Sequence, residues 1–103
     1  MCRKNVYNDV GGMDEALEVE YNDVDLCLSF LKHGYFNVYL PTVELYHYES
    51  ATRGHPFQSR ESWAQHEKDF TLFRSKWHQI IDNDPFYNPG LTLEYTDFRL
   101  KFK

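Results

Sequence analysis

Apolar and polar positions along the chain follow three patterns. Between Asn22 and His33, the residues Val24, Cys27, Leu28 and Leu31 recur at spacings of three and four, which is the period of one helical face. Asn22 or Asp23 can cap this helix by accepting a bond from a free backbone N–H. Asp23 and Asp25 suit the positive end of its dipole, Lys32 and His33 suit the negative end, and Gly34 supplies the stop. The same period returns over about Glu61–Ile81, where Trp63, His66, Phe70, Phe73, Trp77 and Ile80 follow alternating steps of three and four. Ser62 with Gln65 fits a capping box for that helix, or Ser59 caps a slightly longer one. Asp82-Asn83-Asp84-Pro85 ends it.

The second pattern has a period of two. Val43, Leu45 and His47 alternate with Glu44, Tyr46 and Tyr48, and Tyr35–Leu40 is rich in aromatic and branched residues before Pro41 closes it. Both segments are predicted as strands. The third pattern is punctuation. Asn8-Asp9-Val10-Gly11-Gly12 reads as a turn, Asp14–Glu20 as a short helical turn, and residues 49–59 as a polar loop with Gly54 and Pro56. Tyr87-Asn88-Pro89-Gly90 is a further turn, and Leu91–Lys103 is expected to be largely extended, lying over a surface. Together these elements predict an α+β fold, with two main helices on a small sheet and an extended C-terminal tail.

Composition narrows the class. With 103 residues, 42% of them apolar and 17% aromatic, the chain suits a single ordered domain over 1–103. No apolar run approaches the ~20 residues of a membrane span, and no apolar stretch follows the basic start as a secretory signal would require. Eleven basic against 16 acidic residues give a net charge of −5, which argues against a nucleic-acid binder. Two cysteines, Cys2 and Cys27, do not make a secreted disulfide framework. Reduced thiols and a cytoplasmic setting are the simpler expectation, with Cys27 as a small core residue.

Three places carry candidate chemistry. Asp23 and Asp25 stand i and i+2 on a helix, about 200° apart, so they serve separate purposes. One can act as a base, which must reach within about 3 Å of the proton it takes; helix capping is the commoner reason for such carboxylates. His47 offers an imidazole suited to a borderline metal, but His55 and His66 lie too far along the chain to make a zinc spacing motif. A hydrogen-bonded strand-end histidine is the plainer reading. Ser50-Ala51-Thr52-Arg53-Gly54 combines hydroxyls with an Arg fork and can hold an anion, or it is simply a solvated loop. The aromatic stripe of the long helix is core or a partner interface.

An ordered series joins these places: Gly11-Gly12-Met13-Asp14-Glu15, Asn22-Asp23-Val24-Asp25-Leu26-Cys27-Leu28, Gly34-Tyr35, Pro41, and His47-Tyr48-Glu49-Ser50-Ala51-Thr52-Arg53-Gly54. The series resembles the C-terminal half of a family 2 glycosyltransferase of the GT-A fold. Trp77 and Asp84-Pro85-Phe86-Tyr87-Asn88-Pro89-Gly90-Leu91 resemble the tail of its rhamnosyltransferase-like bacterial branch.

The resemblance implies that Asp23 is the catalytic base and that His47 completes a divalent metal site (Mn or Mg) on a donor diphosphate. It also implies that Ser50 and Arg53 close over that diphosphate, and that Gly11, Gly12 and Asp14 border the acceptor pocket. A nucleotide-sugar, UDP-linked above all, and an unspecified sugar acceptor are the implied ligands. The sequence departs from the family at Asn22, where many members have Glu, and at Ser29, where many have a basic residue. The family's N-terminal nucleotide-binding half and its metal-binding Asp-x-Asp have no counterpart, so the chain is expected to be a partial fold. Asp23-Val24-Asp25 fits that three-letter pattern but matches the base motif. The rival expectation is a non-catalytic module that forms a homo-oligomer through the surface the other half would cover.

Overall fold

The computed structural model describes residues 1–48 and 59–102. Among them are three helices: α1 (Lys4–Asp9), α2 (Asn22–Lys32) and α3 (Arg60–Asp82). The chain divides into two units, Met1–Phe73 and Arg74–Lys103, and α3 runs through the boundary.

The two long helices lie where their periodicity places them, and their ends show why. Gly34, at φ +85°, closes α2. Its N–H donates to the carbonyl of Leu31 at 3.0 Å, and the Tyr35 N–H donates to that of Phe30 at 2.9 Å. This pair of bonds satisfies carbonyls that the helix end leaves free, and it needs a residue tolerant of positive φ. Ser59 caps α3, accepting the Ser62 N–H on its hydroxyl at 3.0 Å. Of the two caps open from sequence, the longer helix is the one formed, and Gln65 points elsewhere.

At the start of α2 neither Asn22 nor Asp23 is the cap. Tyr21 holds that position in the left-handed region, φ 62°, with no side-chain cap bond. The buried face of α2 also differs from expectation. Val24 remains 45% exposed and Cys27 is exposed, while Phe30 and Asp25 are buried. A phenyl ring removes more apolar surface from water than either Val or Cys, so its burial favours this roll of the helix. Asp25 is tolerated inside because, among the described residues, no buried side-chain polar atom lacks a hydrogen-bond partner.

The expected sheet does not form. Residues 35–48 contain no strand, and the described residues show only one isolated antiparallel bridge, Leu91 to Leu100. This corrects the α+β reading and the partial GT-A arrangement that followed from it. A strand is stable when its backbone groups and one face find a neighbour. In 35–48 every residue is exposed, so alternation alone had nothing to pair with.

In unit 1, a single turn at Asp14 brings Leu17 to 2% exposure, joining Phe30 and Phe73 as its buried apolar residues. Helix α1 was not signalled by its sequence, which has neither apolar periodicity nor a capping side chain. Unit 2 continues α3 into a tail that turns back on itself rather than staying extended. The Thr92 N–H donates to the Arg99 carbonyl at 3.0 Å and the Lys101 N–H to that of Gly90 at 2.7 Å. Among the described residues no helix is long and apolar enough to cross a membrane.

Candidate functional site

Asp23 lies in the first turn of α2 with its side chain exposed, and its Oδ1 accepts the Val24 N–H at 2.8 Å. A carboxylate there is favoured by the helix dipole and is open to solvent on its remaining lone pairs. Asp25, two residues on, is 1% exposed. The two acids therefore have different environments, as their angular separation requires: one faces water and the other the interior.

The segment leading into α2 is pinned to α3 by a carboxylate. Asp69 is fully buried, and its Oδ2 accepts the N–H groups of Val19 at 3.0 Å and Glu20 at 2.9 Å. Its Oδ1 accepts the Gln65 side-chain amide at 2.9 Å. Burial pushes the Asp69 carboxyl pKa up, but the backbone donors of Glu20 and Val19, the Gln65 amide and the Glu18 backbone outweigh burial and hold it below the usual value. Two side-chain pairs flank this anchor. Glu20 Oε2 meets His66 Nδ1 at 2.6 Å, and Lys68 donates to Glu18. Tyr21 then stacks on Phe73, with ring centroids 4.9 Å apart and planes inclined by 16°.

None of Asp69, Gln65 or Glu20 was a candidate from sequence. One signal was present: Asp69 lies beside the stripe of Trp63, His66, Phe70 and Phe73, three residues after His66 and four before Phe73. An acid on the flank of an apolar face needs donors from outside its own helix, and the amides of residues 19 and 20 supply them.

The Gly11-Gly12 turn forms as expected, with φ +90° and +68°. Gly12 is needed twice over, because a Cβ there would also sit 2.9 Å from a Tyr7 ring carbon. Tyr7 accepts the Met13 N–H on its hydroxyl at 3.2 Å, and Asp14 Oδ1 accepts the Ala16 N–H at 3.0 Å. Asp14 thus shapes the turn that buries Leu17. His47 is exposed, and no group of three or more His, Cys, Asp or Glu side chains suited to a metal occurs among the described residues. Ser50 and Arg53 lie outside the described residues.

No protein-family model and no solved structure matches the chain. Curated relatives do. The chain is 40% identical over 101 residues to an uncharacterised protein of Sinorhizobium fredii, y4gI, spanning 97% of this chain and 11% of that protein. It is 35% identical over 103 residues to the O-antigen biosynthesis protein RfbC of Myxococcus xanthus, 98% of this chain and 8% of that one. It is 31% identical over 78 residues to an N-acetylglucosaminyl-diphospho-decaprenol L-rhamnosyltransferase of Mycobacterium tuberculosis, 76% of this chain and 25% of the enzyme. The chain therefore spans a quarter or less of these relatives. The resemblance read from residues 11–54 meets a named rhamnosyltransferase among them.

Proposed function

We propose that the chain is a glycosyltransferase segment that supplies acceptor-side residues, with Asp23 as the general base. The observation that carries this reading is the exposed Asp23 carboxylate at the start of α2, in a chain 76% of which is similar to part of a rhamnosyltransferase. In the reaction, Asp23 takes the proton of an acceptor hydroxyl. The hydroxyl oxygen bonds to the anomeric carbon of a nucleotide-sugar as the bond to the diphosphate oxygen breaks, inverting that carbon and releasing a nucleoside diphosphate such as UDP. The resemblance adds a divalent ion at His47. A lone imidazole is one ligand where such sites use several, so no step is routed through an ion.

The test is a chimera in which this chain replaces the matched segment of the mycobacterial enzyme. It is expected to transfer sugar, and Asp23→Asn is expected to lower its rate about 10²–10⁴-fold. A folded chimera whose rate ignores Asp23→Asn overturns the assignment. The isolated chain is expected to give no transfer, since positioning of both substrates contributes up to ~7–11 kcal/mol of the barrier.

One observation favours a second reading, a non-catalytic module that self-associates. Phe36, Tyr39, Leu45 and Tyr46 are each more than 85% exposed, and apolar surface in water is penalised by about 25 cal/mol per Å². Light scattering at micromolar concentration decides it; a strictly monomeric mass removes this reading.

A further inference from the structure

One side of α3 in unit 1 carries rings that the core does not cover. Trp63 is 41% exposed and Phe70 44%. His66 lies between them along the helix, 5.2 Å from the Trp63 ring and 6.4 Å from that of Phe70, and nearly parallel to the latter at 12°. Tyr21, brought in by the Asp69 anchor, adds a ring 6.2 Å from His66 and 6.1 Å from Phe70. Against these rings stands a polar pair. Glu20 and His66 meet at 2.6 Å with side chains 28% and 23% exposed.

We propose that Tyr21, His66, Phe70 and Glu20, with Trp63, form a subsite for a neutral sugar ring. The proposal rests on the acceptor-side reading above and assigns residues to it. A pyranose presents C–H groups on its faces and hydroxyls on its edge. Aromatic faces carry negative charge density that attracts C–H groups, and a carboxylate offers about four acceptor positions, of which His66 takes one.

Two observations select this occupant. The first is charge. Glu20 is bonded to His66 within the ring group, Asp69 lies behind it on the Glu20 backbone, and Lys68 is already paired with Glu18. That field repels phosphate, so a nucleotide is disfavoured. The second is ring geometry. Successive planes along α3 are inclined by 31° and 12°, with Tyr21 at one edge inclined by 43° to His66 and 54° to Phe70, so the rings form a stepped face with one raised side. An aromatic cage for a quaternary ammonium needs walls around the ligand. The Tyr21 hydroxyl keeps its proton, because burial and the carboxylates of Glu20 and Asp69 push its pKa up. Tyr21 stands two residues before Asp23, so the chain holds their backbones within about 7 Å.

The experiment is an NMR titration of the whole chain at fixed pH, following the Trp63 indole N–H and the His66 ring. The probes are the methyl pyranosides of glucose, N-acetylglucosamine and rhamnose, with uridine monophosphate as a parallel arm. At least one pyranoside is expected to shift both signals saturably in the millimolar range. Phe70→Ala is expected to weaken that binding about tenfold. Glu20→Gln, which keeps an acceptor for His66, is expected to weaken it with helix content unchanged. The readout is binding and not transfer, so failure of the base assignment leaves this result standing. The proposal is overturned if no pyranoside saturates, if Phe70→Ala binds equally well, or if the nucleotide shifts the same signals at lower concentration.

Discussion

The segment Glu18–Tyr21 and the segment Tyr35–Tyr48 reverse what their compositions suggest. The first is only four residues long and half acidic, yet the backbone amides of Val19 and Glu20 are bonded to Asp69, two of its side chains are paired and its tyrosine is stacked on Phe73. The second has branched and aromatic residues and a period of two, yet every residue in it is exposed and none is in a strand. The difference lies in partners. Buried backbone N–H groups must be matched, and α3 offers a carboxylate to match those of residues 19 and 20. Nothing among the described residues offers a sheet edge to 35–48.

The sharpest way to break this contrast is to remove the partner. Asp69→Ala leaves the Val19 and Glu20 amides without their acceptor inside unit 1, and is expected to destabilise it by about 3–5 kcal/mol. Urea denaturation followed by circular dichroism measures this. Asp69→Asn retains one oxygen but points an amide donor at other donors, and should fall between wild type and Ala. The same anchor sets a pH dependence. Because the folded Asp69 pKa is lowered, its contribution is fully present above the unfolded value, about 3.9. It is lost as pH falls below that through the folded pKa. Acid titration of wild type against Asp69→Asn is expected to show extra loss in wild type only in that range.

Smaller effects test the helix ends that orient the site. Gly34→Ala places a Cβ at φ +85° and is expected to cost about 1–2 kcal/mol. Ser59→Ala removes the hydroxyl that accepts the Ser62 N–H and is expected to cost about 1 kcal/mol. Thermal melts resolve both, and a neutral Gly34→Ala would show that α2 ends without the left-handed residue.

These ends were legible because they depend on local chemistry. A glycine after an apolar period and a serine before one carry their reason with them. The Gly11-Gly12 turn was legible on the same grounds. The sheet was not, because a strand is a relation between two segments and its period describes only one. The roll of α2 was hidden for a similar cause. Val24, Cys27, Leu28 and Leu31 share a face, but Phe30 and Asp25 turned out to have the covered environment. What was readable of Asp23 is its place in the first turn of α2. The Asp69 anchor joins residues about fifty positions apart, and no spacing rule connects them.

The last test probes the exposed segment itself. Tyr46 is 92% exposed and Leu45 90%. A side chain that water already surrounds loses little when truncated, and surface substitutions away from caps and anchors usually stay within ~0.5 kcal/mol. Tyr46→Ser and Leu45→Ser are therefore expected to leave the urea midpoint of the dilute chain almost unchanged, despite removing two large apolar groups. Tyr46 also sits 6.5 Å from Tyr48 in a stacked pair, which solvent-exposed rings hold only weakly. The measurement is the midpoint of both variants at low and high protein concentration. A loss of about 2 kcal/mol at low concentration would mean that 35–48 packs within its own chain, erasing the contrast with Glu18–Tyr21. A loss confined to high concentration would mean that a second copy covers it, which is the outcome the self-association reading requires.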